Sequence, residues 1–361
     1  MSARSGGVAR WTQRAAAAGR MSVVAVVLGS APVPRGIPLG STAALAQSKT
    51  GTTLGQFLLI EPSSRWTALG NAGVAADGGL DGVYYNPAAA GRIAGLDLEF
   101  SHIDWLAGIR YDYVAGAVPL GRWGTGFATV TSLNSGEIDV RTVSQPLGTG
   151  ERYTVSDLAI GVGYGLAVSE RFAAGLQIRF LEETVWHSTA STATFDIGTI
   201  YRVRPNGLHI GSSLTNFGTD GGFAGRDLRI TYDNDPTRSG DNGSLPGERF
   251  AQNYPVPVEF RVGLGYPWRP GPDWRIWAAV QATHPSDNSE SVSGGLETTY
   301  RNLLALRAGY QNLLQEDSEE GLTLGAGLRG RLETFDYRLD YAWADEGRLG
   351  DVHRLTLGLR Y

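Results

Sequence analysis

Residues 258–268 read VEFRVGLGYPW. In an extended chain Val258, Phe260, Val262, Leu264, Tyr266 and Trp268 share one face, and Glu259, Arg261, Gly263, Gly265 and Pro267 the other. A second stretch repeats the pattern: Phe335, Tyr337, Leu339, Tyr341 and Trp343 alternate with Asp336, Arg338, Asp340 and Ala342. A soluble sandwich would pack such an apolar face on a partner sheet and turn the charges to water. A membrane barrel would turn the apolar face to lipid and the charges to a polar lumen.

Period alone leaves both open, and the connections separate them. Working outward, extended segments are expected near 95–104, 109–119, 123–133, 152–168, 171–184, 190–204, 207–216, 257–268, 273–283, 291–300, 303–312, 321–331, 334–343 and 352–361. Each can supply the roughly 9–11 residues that a tilted strand needs to cross a bilayer. With the first strand leaving the periplasm, one set of connections is short throughout: PLGRWG, Ser169-Glu170, PNG at 205–207, RPGP at 269–272, Arg301-Asn302 and Leu332-Glu333. The other set holds 134–151, the polar stretch 217–256, 284–290, 313–320 and 344–351. Tight turns on one side and long loops on the other are the outer-membrane pattern. The fold class expected is therefore all-β, a transmembrane antiparallel barrel of fourteen strands over residues 95–361, placed in the cell outer membrane. Glu137 to Val143 reads as a small excursion within the first large loop.

Upstream, Gln56 to Arg92 is broken into short pieces by Gly70, Gly73, Gly78, Gly79, Gly82 and Pro87. It has no face large enough to fold alone, so residues 47–94 are expected to plug the barrel lumen, where Gly161, Gly163 and Gly165 would allow close approach. Residues 1–46 carry Arg4, Arg10, Arg14, Arg20 and Arg35 without an acidic residue, an apolar run from Met21 to Leu28, and Ala44-Leu45-Ala46, the order of an export signal. Removing them takes the formal charge from -5 to -10, which argues against a nucleic-acid partner. With no Cys there is neither a disulfide framework nor a thiolate metal site.

The run FLLIEPSSRWTALGNAGVA, the element Tyr85-Asn86-Pro87-Ala88-Ala89, the run LEFSHIDWLAGIRYDYVAGAVPLGRWGTGF and the closing HRLTLGLRY resemble the PorV/PorQ family, within the wider FadL-like group of outer-membrane barrels. Leu69 and Asn71 depart from the Met and Gly common in that family around Gly70. The resemblance implies a fourteen-stranded barrel with a lumenal N-terminal segment. It also implies a role as an accessory of type IX protein secretion, with the translocon barrel and secreted proteins carrying a C-terminal signal domain as partners. The wider group implies the alternative, a channel for uptake of hydrophobic small molecules. The aromatic end at Tyr361 is similar to the C-terminal pattern that barrel assembly machinery recognises.

Asn86 can bond its own backbone and Pro87 fixes the next φ, so the pair is expected to lock the plug. Arg65 and Trp66 are expected to anchor it through a lumenal carboxylate and an apolar seam. Arg110, Asp112, Arg179, Glu259, Arg261, Arg307, Asp336, Arg338 and Asp340 read as lumenal charges that satisfy one another and the plug. Ile103, Trp105 and Leu106 sit at an extracellular turn, where exposure would suit a partner or outer-membrane lipid. The carboxylates of loop 217–256 lack ligand spacing for calcium. His102, His187, His209, His284 and His353 are scattered, and neither HExxH nor a P-loop is present, so no enzyme and no cofactor are expected.

Overall fold

The computed structural model describes residues 51–235, 237, 240, 244–315 and 318–361; the expected export signal at 1–46 and the first residues of the plug, 47–50, lie outside them. Fourteen long strands alternate inward and outward side chains, as the sequence period requires: β1 Asp97–Asp104, β2 Arg110–Pro119, β3 Thr125–Asn134, β4 Val155–Ala167, β5 Phe172–Val185, β6 Ser188–Arg202, β7 His209–Gly218, β8 Glu259–Trp268, β9 Trp274–Pro285, β10 Ser291–Tyr300, β11 Leu304–Leu313, β12 Leu322–Leu332, β13 Phe335–Asp345 and β14 Asp351–Arg360. Neighbours in sequence pair antiparallel, and β14 returns to β1 through partners such as Leu359 with Leu98 and Leu355 with His102, closing the barrel. Closure removes the unpaired edges that hydrocarbon does not tolerate.

The outer surface is the greasy one. Leu98 and Phe100 of β1, Val262 and Leu264 of β8, and Leu355 and Leu357 of β14 stand 38–48% exposed, whereas Glu259, Arg261 and Asp340 on the opposite faces are buried. Trp123, Tyr201, Trp268, Trp274 and Tyr300 crown the end with tight turns, at the depth of a lipid interface. On the other end, residues 229–232 and 245–248 form a short ribbon within loop 217–256, and Ala224 and Gly225 pair back onto β6. Ile138–Asp139 pairs with Arg152–Tyr153 as an excursion of the first large loop.

β2 corrects one expectation. Its inward residues are Tyr111, Tyr113, Ala115 and Ala117, so Arg110 and Asp112 face out rather than into the lumen. They sit at the extracellular rim, above the apolar belt, where Asp112 accepts or shares a hydrogen bond with His102 Nδ1 at 2.7 Å. A rim charge needs no lumen to stay solvated.

The lumen is filled by residues 54–93. The segment starts at the extracellular end, where Leu54 N–H donates to Pro255 O at 2.9 Å, and descends to the periplasmic end, where Asp77 meets Arg92 and Arg202. It has almost no regular structure, only single turns such as Gln56–Leu59, Ser64–Thr67 and Pro87–Arg92. Its backbone must therefore find partners elsewhere. The inward wall supplies them: Gly70 N–H donates to Thr323 Oγ1 at 3.1 Å, Val74 N–H to Gln281 Oε1 at 2.9 Å, and Tyr85 O accepts from Ser213 Oγ at 2.7 Å. Tyr84 and Tyr111 donate to the carbonyls of Leu58 and Ile60 at 2.7 and 2.9 Å. At Gly70, φ is +67° and an added Cβ would lie 2.4 Å from Tyr310 O, so only glycine fits.

Candidate functional site

Two contacts fix the plug, one ionic and one a buried turn. The ionic one is built around Arg65, at the turn Ser64–Thr67. Its guanidinium grips Glu297 of β10 through Nε and Nη2, at 2.9 and 2.8 Å, and Asp81 of the plug at 3.2 Å. Arg338 of β13 reaches Asp81 at 2.9 Å, Glu99 of β1 at 2.6 Å and Asp340 at 2.8 Å; Arg307 of β11 joins Glu297 at 2.6 Å and Asp340 at 2.8 Å. Burial works against ionisation of Asp81, but Arg338 and Arg65 outweigh it and hold the carboxyl well below the usual range. Such a group is strongly coupled: removing one member strands buried charge on the rest. Trp66 packs edge-on against Trp277 of β9 and Tyr85, with ring centroids 6.2 and 6.5 Å apart, and the Arg65 guanidinium lies 4.7 Å over its indole.

The turn is Asn86-Pro87. Asn86 is the N-cap of Pro87–Arg92; its Oδ1 accepts from Ala88 N–H at 3.0 Å, and Pro87 at the first position preorganises the turn. Its Nδ2 donates to Val74 O at 2.9 Å and to Thr199 O of β6 at 3.0 Å, with Ser212 O of β7 at 3.4 Å. One amide thus ties the plug to itself and to two adjacent wall strands. The wall makes room with glycine: a Cβ on Gly198 would lie 2.0 Å from Asn86 Oδ1, and one on Gly175 2.3 Å from the Pro87 carbonyl carbon.

The wall is irregular at that place. The β6–β7 ladder shifts register between Phe195 and Ile197, with Asn216 in the left-handed region at φ 61°. Arg179 holds the bulge by bonding Asp196 and Asn216 at 2.7 and 2.6 Å. Below it an apolar cavity of about 450 Å³ is lined by lipid-facing residues, Leu176, Ile197, Leu214 and Phe260, together with inward ones, Gly175, Gly198 and Ser213. Residues of both faces line one hollow, so the wall is thin there.

Above the plug, a vestibule of about 490 Å³ opens at the extracellular end. Uncharged polar side chains are the commonest in its lining, and its seven carboxylates, Glu61, Glu259 and Glu346 among them, outnumber its two arginines, Arg261 and Arg354. Arg261 pairs with Glu259 and lies 5.7 Å from the Tyr84 ring. Burial pushes Glu61 up to about 8 against the pull of Arg354, although the side chain keeps some solvent access.

The extracellular triad is placed otherwise than its exposure required. Ile103 is fully buried, because β1 turns it into the lumen beneath the plug's apolar residues. Trp105 is partly buried, with Arg354 5.4 Å over its ring, and Leu106 packs on the same interior cluster. Asp336, inward in parity, stands at the periplasmic rim 3.7 Å from Arg331 and does not reach the plug. Sequence reasoning does not single out Glu99, Asp81 and Glu297; the signal for Glu99 and Glu297 is a carboxylate in register with the inward positions, flanked by the outward Leu98 and Phe100 in β1 and by the outward Leu296 in β10.

This architecture has solved counterparts. The Pseudomonas putida toluene transporter TodX aligns with a TM-score of 0.50 at 12% identity, over 82% of this chain and 96% of that one. A Pseudomonas aeruginosa FadL homologue aligns with a TM-score of 0.50 at 10% identity, over 83% and 98%. The fold is FadL-like. No protein-family model matches the chain, and no curated protein does. With its lipid-facing belt and tight periplasmic turns, this FadL-like barrel is an outer-membrane protein, as the strand pattern requires.

Proposed function

We propose that the chain is a channel for hydrophobic small molecules, which enter through the vestibule and leave through the thin part of the wall. The observation that carries this reading is the hollow below the β6–β7 bulge, where lipid-facing and lumenal residues line one apolar space and the Asn86 amide holds the carbonyl of Thr199 on its lining. An apolar solute gains by passing sideways into lipid rather than down into water. The FadL-like fold supports the reading, since TodX is a toluene transporter by name. The test is uptake of radiolabelled toluene by cells expressing the chain against cells carrying an empty vector; equal rates would sink it.

The secretion reading rests on the PorV/PorQ resemblance and is favoured by one observation. Val143, Leu147 and Phe250 are almost wholly exposed on extracellular loops, as a partner contact would need, while Ile103, Trp105 and Leu106 are not. Gentle detergent extraction from native outer membranes and mass spectrometry of what comes with the chain tests it. Recovery of a large translocon barrel or of signal-domain cargo supports secretion; a barrel carrying only small apolar molecules supports the channel.

A further inference from the structure

At the periplasmic end, below Arg65 and Trp66, lies a cavity of about 690 Å³. Its lining carries seven arginines against four aspartates. The aspartates are committed: Asp81 to Arg65 and Arg338, Asp97 to Arg360, Asp77 to Arg92 and Arg202, and Asp336 to Arg331. Two arginines on the lining keep donors without an acceptor. Arg275 has no ion pair or hydrogen bond among the described residues. Arg329 meets one carboxylate, Glu297, at 3.7 Å, which Arg65 and Arg307 already hold, and its Nε is buried without a partner.

Arg275 is exposed and Arg329 half-buried on this lining, and guanidinium N–H groups, which can only donate, are completed by an acceptor-only, anionic group. We infer that this cavity is an oxyanion site for a phosphate group, held by Arg275 and Arg329. Phosphate fits better than carboxylate because it brings up to two charges to the surplus and presents oxygens in several directions. The group can be free phosphate or the headgroup of an amphiphile reaching in from the periplasmic leaflet. The site opens to the periplasm and is independent of which solute or partner the outer face serves.

The experiment is calorimetric titration of the folded full barrel in detergent, with inorganic phosphate in one arm and dihexanoyl phosphatidic acid in the other. Binding in either arm that weakens as salt rises is expected, and the arm that binds identifies the source. Arg275→Gln is expected to weaken it at least roughly fivefold, the loss of a charge-assisted hydrogen bond. Arg329→Gln adds to this where it folds; Arg275→Gln decides the matter where it does not. Arg122→Gln, exposed on another periplasmic turn and outside this lining, is expected to change binding less than twofold. No heat in either arm from folded protein at millimolar probe overturns the assignment. So does a loss in Arg122→Gln as large as in Arg275→Gln, which would mean attraction by overall charge only.

Discussion

Replacing Asn86 by Ala tests the latch between plug and wall. Asn86 is fully buried and caps Ala88 N–H while serving the carbonyls of Val74 and Thr199. Loss of an N-cap costs about 1 kcal/mol. Leaving the two buried carbonyls short of a donor adds roughly 1 kcal/mol each. A total of about 3 kcal/mol against docking of the turn multiplies its undocked population by roughly a hundredfold. The readout is amide hydrogen exchange of residues 86–92 in detergent or proteoliposomes. Those amides are expected to exchange up to about a hundredfold faster while the amides of β10 to β14 keep their protection, because that ladder does not touch the latch. Two results refute the reasoning. Unchanged exchange at 86–92 means the turn is held by packing alone. Uniform loss of protection means the latch is part of the barrel's own folding rather than a local fastener.

Arg65→Met should loosen the plug by about 3–5 kcal/mol, because Glu297 and Asp81 keep their burial and lose a partner; adding Glu297→Gln should recover part of that, measured as a double-mutant cycle on plug exchange. Gly198→Val should displace Asn86 and raise permeability to an apolar dye in proteoliposomes while leaving the barrel closed on gel mobility; unchanged permeability would remove the turn from any gating role. Because the folded pKa of Glu61 is raised to about 8, its contribution to stability is fully present below about pH 4.5 and is lost as pH rises through 8. The melting temperature should fall across that window, and Glu61→Gln should flatten the fall. Replacing residues 226–249 by a short glycine linker should spare folding, since the ribbon 229–232 and 245–248 pairs with itself; misfolding would show that the loop supports the wall.

The barrel is legible in the sequence because each strand is exposed to two unlike solvents. Lipid on one side and a polar interior on the other leave a period of two that Val258 to Trp268 shows without tertiary information. Loop asymmetry then supplied the sidedness. The same logic misplaced Arg110 and Asp112, since near the rim both faces of a strand meet water and charge no longer reports direction. Ile103 was misplaced for a related reason: proximity to a turn says nothing about which way a side chain points. The plug's path was not legible at all. Glu297 and Asp81 find Arg65 across 232 and 16 residues of sequence, and the backbone of residues 70–74 is satisfied by Thr323 and Gln281, pairings that exist only once the wall has closed.

A filling that runs from the outer end to the inner one makes the barrel a bead strung on its own thread. The thread continues directly into β1, and β1 closes on β14 through eight residue pairs. The thread is therefore tied at its inner end to the seam that closes the ring, as a separately folded stopper would not be. It also limits how the passage can clear. Withdrawing the whole thread means drawing some forty residues lengthwise or unclasping the ring in the membrane, whereas yielding at one bend moves a few residues and leaves both ends tied.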